Sequence, residues 1–186
     1  MSEPVIQTYS GYIGPPVIWD QKFGFTANSP IPDEAYEFIW KYLQQFAHQT
    51  LDKTSPDSLE ALREKLKADV ERGGKTYAFH NKDGWVGALS IENVGDGIGL
   101  GHLVFSRDNQ NLTSAEKLAM SKAAIDDIFQ NGFRKIQWAF FSDNRAFRLF
   151  LRKLGATHEG TLIAHVNREG EWVDADMMAS FPQGER

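Results

Sequence analysis

The stretch from Thr113 to Gly155 constrains the fold most, because it sets one strand between two capped helices. Thr113-x-x-Glu116 is a capping box, and Leu118, Ile125, Ile128 and Phe129 supply the apolar side of the helix it opens. Asn131-Gly132 stops that helix. Lys135 to Phe141 then reads as a strand, with Ile136, Trp138 and Phe140 on one face and Gln137, Ala139 and Phe141 on the other. Apolar side chains on both faces demand cover on both sides. Asn144 caps the next helix, whose Phe147, Phe150, Leu151 and Leu154 recur at i, i+3, i+4 and i+7, and Gly155 is its C′ residue.

Upstream, the period differs. Pro32 suits a first helical turn, with Asp33 and Glu34 at the positive end of the dipole, and Tyr36, Ile39, Trp40, Leu43 and Ala47 on one face. Ser55-Pro56-Asp57 opens a second helix with the stripe Leu59, Leu62, Leu66 and Val70, closed by Gly73-Gly74. Thr76 to His80, Trp85 to Val94 and Ile98 to Ser106 then read as strands joined by short turns, an antiparallel meander. Two final strands, His158 to Val166 and Trp172 to Phe181, flank the turn at Asn167 to Gly170. Ahead of the first helix, short strands are expected at Tyr9 to Ile13 and Val17 to Trp19. A meander followed by a β-α-β crossover implies an α/β (α+β) fold, with a mixed, mostly antiparallel central sheet and helices on both faces.

Composition removes several classes of function. The chain has 186 residues and suits a single domain, 1–186, with a sizeable core. Cysteine is absent, which excludes disulfides, thiolate nucleophiles and Cys-based zinc sites and fits a cytoplasmic protein. The formal charge is −5 without any Lys/Arg-rich run, so no nucleic-acid partner is expected. No apolar stretch approaches the ~20 residues of a spanning helix, and no signal peptide stands at Met1 to Tyr12, so no membrane partner is expected either. The histidines show no metal-ligand spacing, and neither a Gly-x-Ser-x-Gly elbow nor a Walker loop occurs.

Four stretches between Gly97 and Phe181 carry a likeness to a known family. They are Gly101-His102-Leu103-Val104-Phe105-Ser106, then Gln110-x-x-Thr113-x-Ala115, then Asn144 to Ala156 with Arg152-Lys153-Leu154-Gly155, and last Glu159-Gly160-Thr161-Leu162 followed by Trp172-Val173-Asp174. In this order and spacing they resemble the RimJ/RimL-type branch of the GNAT acetyltransferases. The resemblance implies the GNAT fold, acetyl-CoA as co-substrate, no metal, and transfer of an acetyl group to a primary amine. The amine is a peptide N-terminus or a small molecule, attacked directly in a ternary complex. It also implies a cofactor site at Phe105, Ser106, Gln110, Asn111, Leu112, Thr113, Ser114, Ala115 and Asn144, with the pantetheine arm between the strands Ile98 to Ser106 and Lys135 to Phe141. A homodimer through terminal strands is within the family's habits.

The chemistry of that site follows from its parts. A loop entering a helix N-terminus offers unpaired N–H groups to a pyrophosphate. Aminolysis of a thioester needs positioning, an oxyanion donor and a proton acceptor. His102 and Glu92 are the candidate bases, followed by Asp143 and Ser142. Each has a plainer reading. A lone strand histidine such as His102 is more often a satisfied structural residue, Glu92 also reads as a solvated residue beside a turn, Asn144 is equally an N-cap, and Gln110 to Ala115 also reads as an ordinary strand-to-helix loop. Trp40, Tyr42 and Phe46 either line a pocket or pack on the sheet, and the second of these is the simpler; Met177-Met178 reads most simply as core.

The sequence also departs from the family. Thr113 replaces a glycine whose missing side chain lets backbone approach phosphate, and Glu116 competes with an anion for the same helix end. Gly99 stands where relatives often carry a glutamate base, Phe147 replaces a serine, and Leu151 takes the place of a tyrosine that protonates the leaving thiolate. These departures leave a second expectation open: a catalytically degenerate GNAT fold acting as a binding or structural module.

Overall fold

The computed structural model describes residues 23–27, 31–46, 56–81, 84–106 and 112–184. The strands expected at Tyr9 to Ile13 and Val17 to Trp19 lie outside them, as do Ala47, Gln110 and Asn111. The elements run β1 (Phe23–Ala27), α1 (Asp33–Phe46), α2 (Leu59–Glu71), β2 (Lys75–Asn81), β3 (Gly84–Gly95), β4 (Ile98–Phe105), α3 (Ser114–Gln130), β5 (Lys135–Phe141), α4 (Arg145–Lys153), β6 (Thr157–Arg168) and β7 (Glu171–Ser180). They form a seven-stranded sheet of order β1-β2-β3-β4-β5-β7-β6. Every pairing is antiparallel except β4 with β5, which α3 connects in parallel. This is the mixed sheet that the meander and crossover imply.

Side-chain alternation assigns the helices to faces. Tyr77 and Phe79 of β2, Leu89 and Ile91 of β3, and Ile136, Trp138 and Phe140 of β5 join α3 and α4 in the larger core. The intervening Ala88 of β3 packs with Ile39 of α1 and with Leu62 and Leu66 of α2. Bulky residues therefore fill one face, and small ones let α1 and α2 sit on the other.

Two sequence expectations need correction. The α2 cap is Ser58, whose hydroxyl accepts the Ala61 N–H at 3.1 Å, so the helix starts after Ser55-Pro56-Asp57. Either serine precedes an acidic first turn, and local propensity alone does not choose between them. Phe23–Ala27 is a further strand, paired antiparallel with β2, beyond the two short strands expected ahead of the first helix. The capping box of α3 and the Asn144 cap of α4 form as expected: Thr113 and Glu116 bond reciprocally, and Asn144 Oδ1 accepts the Phe147 N–H at 3.1 Å.

A buried carboxylate fixes α4 against the sheet. Asp176 of β7 is 2% exposed and accepts hydrogen bonds from Ser142 Oγ (2.8 Å), Thr161 Oγ1 (2.8 Å) and Arg148 Nε of α4 (2.7 Å). Burial pushes its carboxyl pKa up, but the Ser142, Thr161 and Arg148 hydrogen bonds and the Arg148 charge outweigh burial and hold it below the ordinary carboxylate range. Its stabilising contribution is thus complete above the unfolded pKa of about 4 and is lost as pH falls through the folded value. Asp176→Asn is expected to lower stability at pH 7 by about 2 kcal/mol, the loss of charged hydrogen bonds. Urea melts run downward in pH should show the variant's stability falling less steeply than the parent's in acid.

Candidate active site

The site begins where two strands part. β4 and β5 are in register at only three pairs, Ile98–Lys135, Gly99–Ile136 and Leu100–Gln137. Beyond them the parallel ladder stops, although β4 continues to Phe105 and β5 to Phe141. The first positions past the ladder are Gly101 and Trp138. A Cβ on Gly101 would lie 2.6 Å from the Trp138 ring, so the indole rests directly on the glycine backbone. Trp138 is fully buried and donates its Nε1–H to Ser180 Oγ at 3.0 Å. An indole seated at the point of divergence acts as a wedge, and only glycine leaves room for it.

The parting opens a cleft of about 780 Å³ that reaches both faces of the sheet. On the α3/α4 side it is lined by Phe105, Lys117, Phe140, Asn144, Phe147 and Phe150. Phe105 stacks on Phe79 (5.6 Å between centroids) and meets Phe150 edge-on (6.0 Å), while Lys117 Nζ lies 5.7 Å above its ring. Both parallel strands end here and both following helices begin here. Asn144 accepts the Phe147 N–H through Oδ1, so its NH₂ remains available to a ligand as two donors. The same end of α3 is already occupied: Glu116 Oε2 accepts the Thr113 N–H at 2.7 Å and its hydroxyl at 2.9 Å.

On the α1/α2 side the floor is polar and in register. Thr76 of β2 pairs with Ser90 of β3, and Ser90 pairs with His102 of β4, so these three share one row across the sheet. Glu92 pairs with Leu100 one row along, which makes Glu92 and His102 diagonal neighbours on the same face. The structure thus brings both candidate bases into one cleft. Lys65 of α2 approaches Glu92 Oε2 at 3.7 Å and bonds Asp69 Oδ2 at 2.9 Å. Above the floor lie Ile39, Leu62 and Leu66.

Other sequence candidates stand elsewhere. Ser106 is buried, with its hydroxyl 2.7 Å from Tyr42 Oη, so both side chains face each other rather than the cleft. Leu112 is buried in the main core, and Thr113, Ser114 and Ala115 are exposed at the start of α3. Asp143 bonds Arg168 Nη2 at 2.8 Å, and that hydrogen bond holds its carboxyl below the ordinary range, which makes it a poor base. Ser142 donates to Asp176. Met178 is core, but Met177 lines the cleft.

The arrangement has close structural counterparts. A spermidine N-acetyltransferase from Vibrio cholerae, solved in complex with CoA and spermine, matches with a TM-score of 0.72 over 87% of this chain and 96% of that one, at 13% identity. The ribosomal-protein-S5-alanine acetyltransferase of Vibrio fischeri matches with a TM-score of 0.72 over 91% and 98%, at 15% identity. A dodecameric structure of the Vibrio cholerae enzyme matches at 0.70 over 87% and 95%, at 13% identity. This chain has the GNAT fold. No family model matches it, and no curated protein matches it in sequence.

Within the GNAT fold, the departures noted in the sequence acquire physical causes. A Cβ on Gly99 would lie 2.4 Å from Ile91 Cγ2 and 3.1 Å from the Phe133 ring, so a glutamate there would have to enter the larger core. Glu92, on the other face, is the carboxylate that reaches the cleft. Leu151 is fully buried in the core of α4. Phe147 meets Phe140 (5.2 Å) and Trp138 (6.4 Å) edge-on, completing the aromatic wall. Sequence reasoning missed Thr76, Ser90, Lys65 and Lys117. Of these, Ser90 was within reach of the meander's register, as the cross-strand partner of the candidate base His102. No group of His, Asp and Glu suited to a metal ion occurs among the described residues, and no described helix is long and apolar enough to cross a membrane.

Proposed function

We propose that this protein transfers an acetyl group from acetyl-CoA to a primary amine by direct attack in a ternary complex. The observation that carries this reading is the early end of the β4–β5 ladder, which opens a single cleft onto two chemically different faces. The likeness to a fold solved with CoA supports it.

The residues present suit that co-substrate along most of its length. The β5-facing edge of β4 past Leu100 carries no ladder pairing, and backbone amides there match a pantetheine arm. Asn144 Nδ2 can donate to the same arm, and Lys117, in the first turn of α3, supplies a cation for a phosphate. Acetyl-CoA when bound supplies the activated thioester. On the opposite face, an imidazole nitrogen of His102 takes the proton that the amine loses as its nitrogen bonds the acyl carbon. The C–S bond breaks, CoA leaves as the thiolate, and a proton from solvent converts it to the thiol while His102 returns its own to water. Glu92 stands beside His102 to orient it or a bridging water.

A second reading, a binding module of the same fold, has one observation in its favour. The carboxylate of Glu116 sits on donors of the α3 N-terminus that a pyrophosphate would use. Glutamine keeps a capping box but removes the charge. Glu116→Gln is therefore expected to tighten acetyl-CoA binding roughly two- to fivefold, the value of about 0.3–1 kcal/mol for a charge at a helix end. Calorimetric titration of parent and variant checks it.

The deciding experiment is thermal unfolding with and without acetyl-CoA, paired with thiol release on a panel of amines. Ligand at about 100 times its Kd stabilises by about 2.7 kcal/mol, a clear rise in Tm. A Tm rise with amine-dependent thiol release upholds transfer. A Tm rise without release on any amine favours the binding module, and a Tm rise confined to Thr113→Gly or Glu116→Gln would mark a scaffold that has lost its co-substrate.

A further inference from the structure

The two halves of the cleft differ in charge, and the half under α1 and α2 is where an acceptor would enter. Resting on the acetyl-transfer reading, we propose that this acceptor is a monoamine on an apolar body, an alkyl- or arylalkylamine, and that Lys65 is the residue that turns polycationic amines away.

The charges on this side cancel. Among the described residues lining it, the charged pair is Glu92 and Lys65, 3.7 Å apart. Lys65 bonds Asp69 at 2.9 Å, and Asp69, whose side chain is 6% exposed, also pairs with Arg72. Glu92, Lys65, Asp69 and Arg72 thus alternate in sign and sum to zero. The imidazoles His102 and His165 add no negative charge. A polyamine entering here would place a second ammonium in a site whose carboxylates are already matched, close to the Lys65 ammonium. Removing that ammonium from water without a counter-charge is costly, and the like charge adds to the cost.

The remaining surface suits an apolar body. Ile39, Leu62 and Leu66 form the roof, and Ala88 and Val104 border the row Thr76–Ser90–His102 on the floor. The buried polar atom without a hydrogen-bond partner on this floor, Thr76 Oγ1, is a neutral hydroxyl. Burial of methylene or ring carbon against these side chains is favourable in proportion to area, whereas a second ammonium gains nothing from them. One amine nitrogen near His102 and an apolar remainder under α2 use every surface the half-cleft offers.

The test is a comparison of kcat/KM for phenethylamine, hexylamine, spermidine and a neutral-side-chain tripeptide at about pH 8 with saturating acetyl-CoA. At least a tenfold preference for the two monoamines over spermidine and the tripeptide is expected. Lys65→Gln should raise kcat/KM for spermidine several-fold, while Lys65→Arg, which keeps the charge, should retain the parent's ranking. Spermidine or the tripeptide matching the monoamines on the parent protein overturns the assignment while leaving acetyl transfer standing. Thiol release with none of the four would instead count against acetyl transfer. Calorimetric binding of phenethylamine and spermidine to the parent would then decide the acceptor class, with tighter spermidine binding overturning it and tighter phenethylamine binding upholding it.

Discussion

Trp138→Ala is expected to lower the free energy of unfolding by about 3–5 kcal/mol and to weaken acetyl-CoA binding with it. The indole is fully buried, its N–H is bonded to Ser180 Oγ, and its ring fills the space a Cβ on Gly101 would need. Its removal leaves a cavity at the point where β4 and β5 diverge, and the strands can close toward a longer ladder. The partner substitution makes the claim sharper. Gly101→Ala in the parent forces a methyl to within 2.6 Å of the ring and should cost about 1–3 kcal/mol. In the Trp138→Ala background that same methyl no longer meets the ring and should cost little. Denaturant melts of the four proteins give the coupling, which should exceed about 1 kcal/mol for groups in direct contact. Additive losses would mean that the indole is ordinary core and not a wedge.

His102→Gln is expected to reduce kcat/KM for the best amine by about 10²–10⁴, the usual contribution of a positioned general base. Glutamine keeps a hydrogen-bonding side chain of similar reach but cannot accept and hold the amine proton. His102 is exposed to the cleft on the face that carries Glu92 and Ser90, so the substitution should leave Tm nearly unchanged. The acid limb of the pH profile of kcat/KM reports protonation of the base, and it should vanish in His102→Gln. Were Glu92→Gln to remove that limb and His102→Gln to spare it, the proton would go to the carboxylate. Retention of activity in both variants would leave direct amine attack without a protein base on this face.

Much of the frame was legible because its signals are local. Thr113 and Glu116 are three residues apart, so their reciprocal bonds form from neighbouring backbone, and Asn144 caps α4 for the same reason. The alternation of Ile136, Trp138 and Phe140 with Gln137, Ala139 and Phe141 placed β5 inside the sheet. Asp69 shows the limit. On α2 it reads as one more polar helix residue, yet it is buried between Lys65 and Arg72. Ser106 shows the same limit in reverse. It closes a strand in a family motif, but a residue 64 positions earlier, Tyr42, claims its hydroxyl.

The sequence by itself determined the order of elements from α1 onward, the caps of α3 and α4, the crossover between β4 and β5, and hence a mixed sheet covered on both faces. Period and capping depend on residues within one or two helical turns, and those are contiguous in the chain. Tertiary structure alone decided which side chains meet in the cleft. The row Thr76–Ser90–His102 depends on two inter-strand registers, where a slip of one residue would turn each side chain to the opposite face. The wedge of Trp138 on Gly101 and the Lys65–Glu92 pair join residues 37 and 27 positions apart, between elements that meet only once the sheet and helices pack.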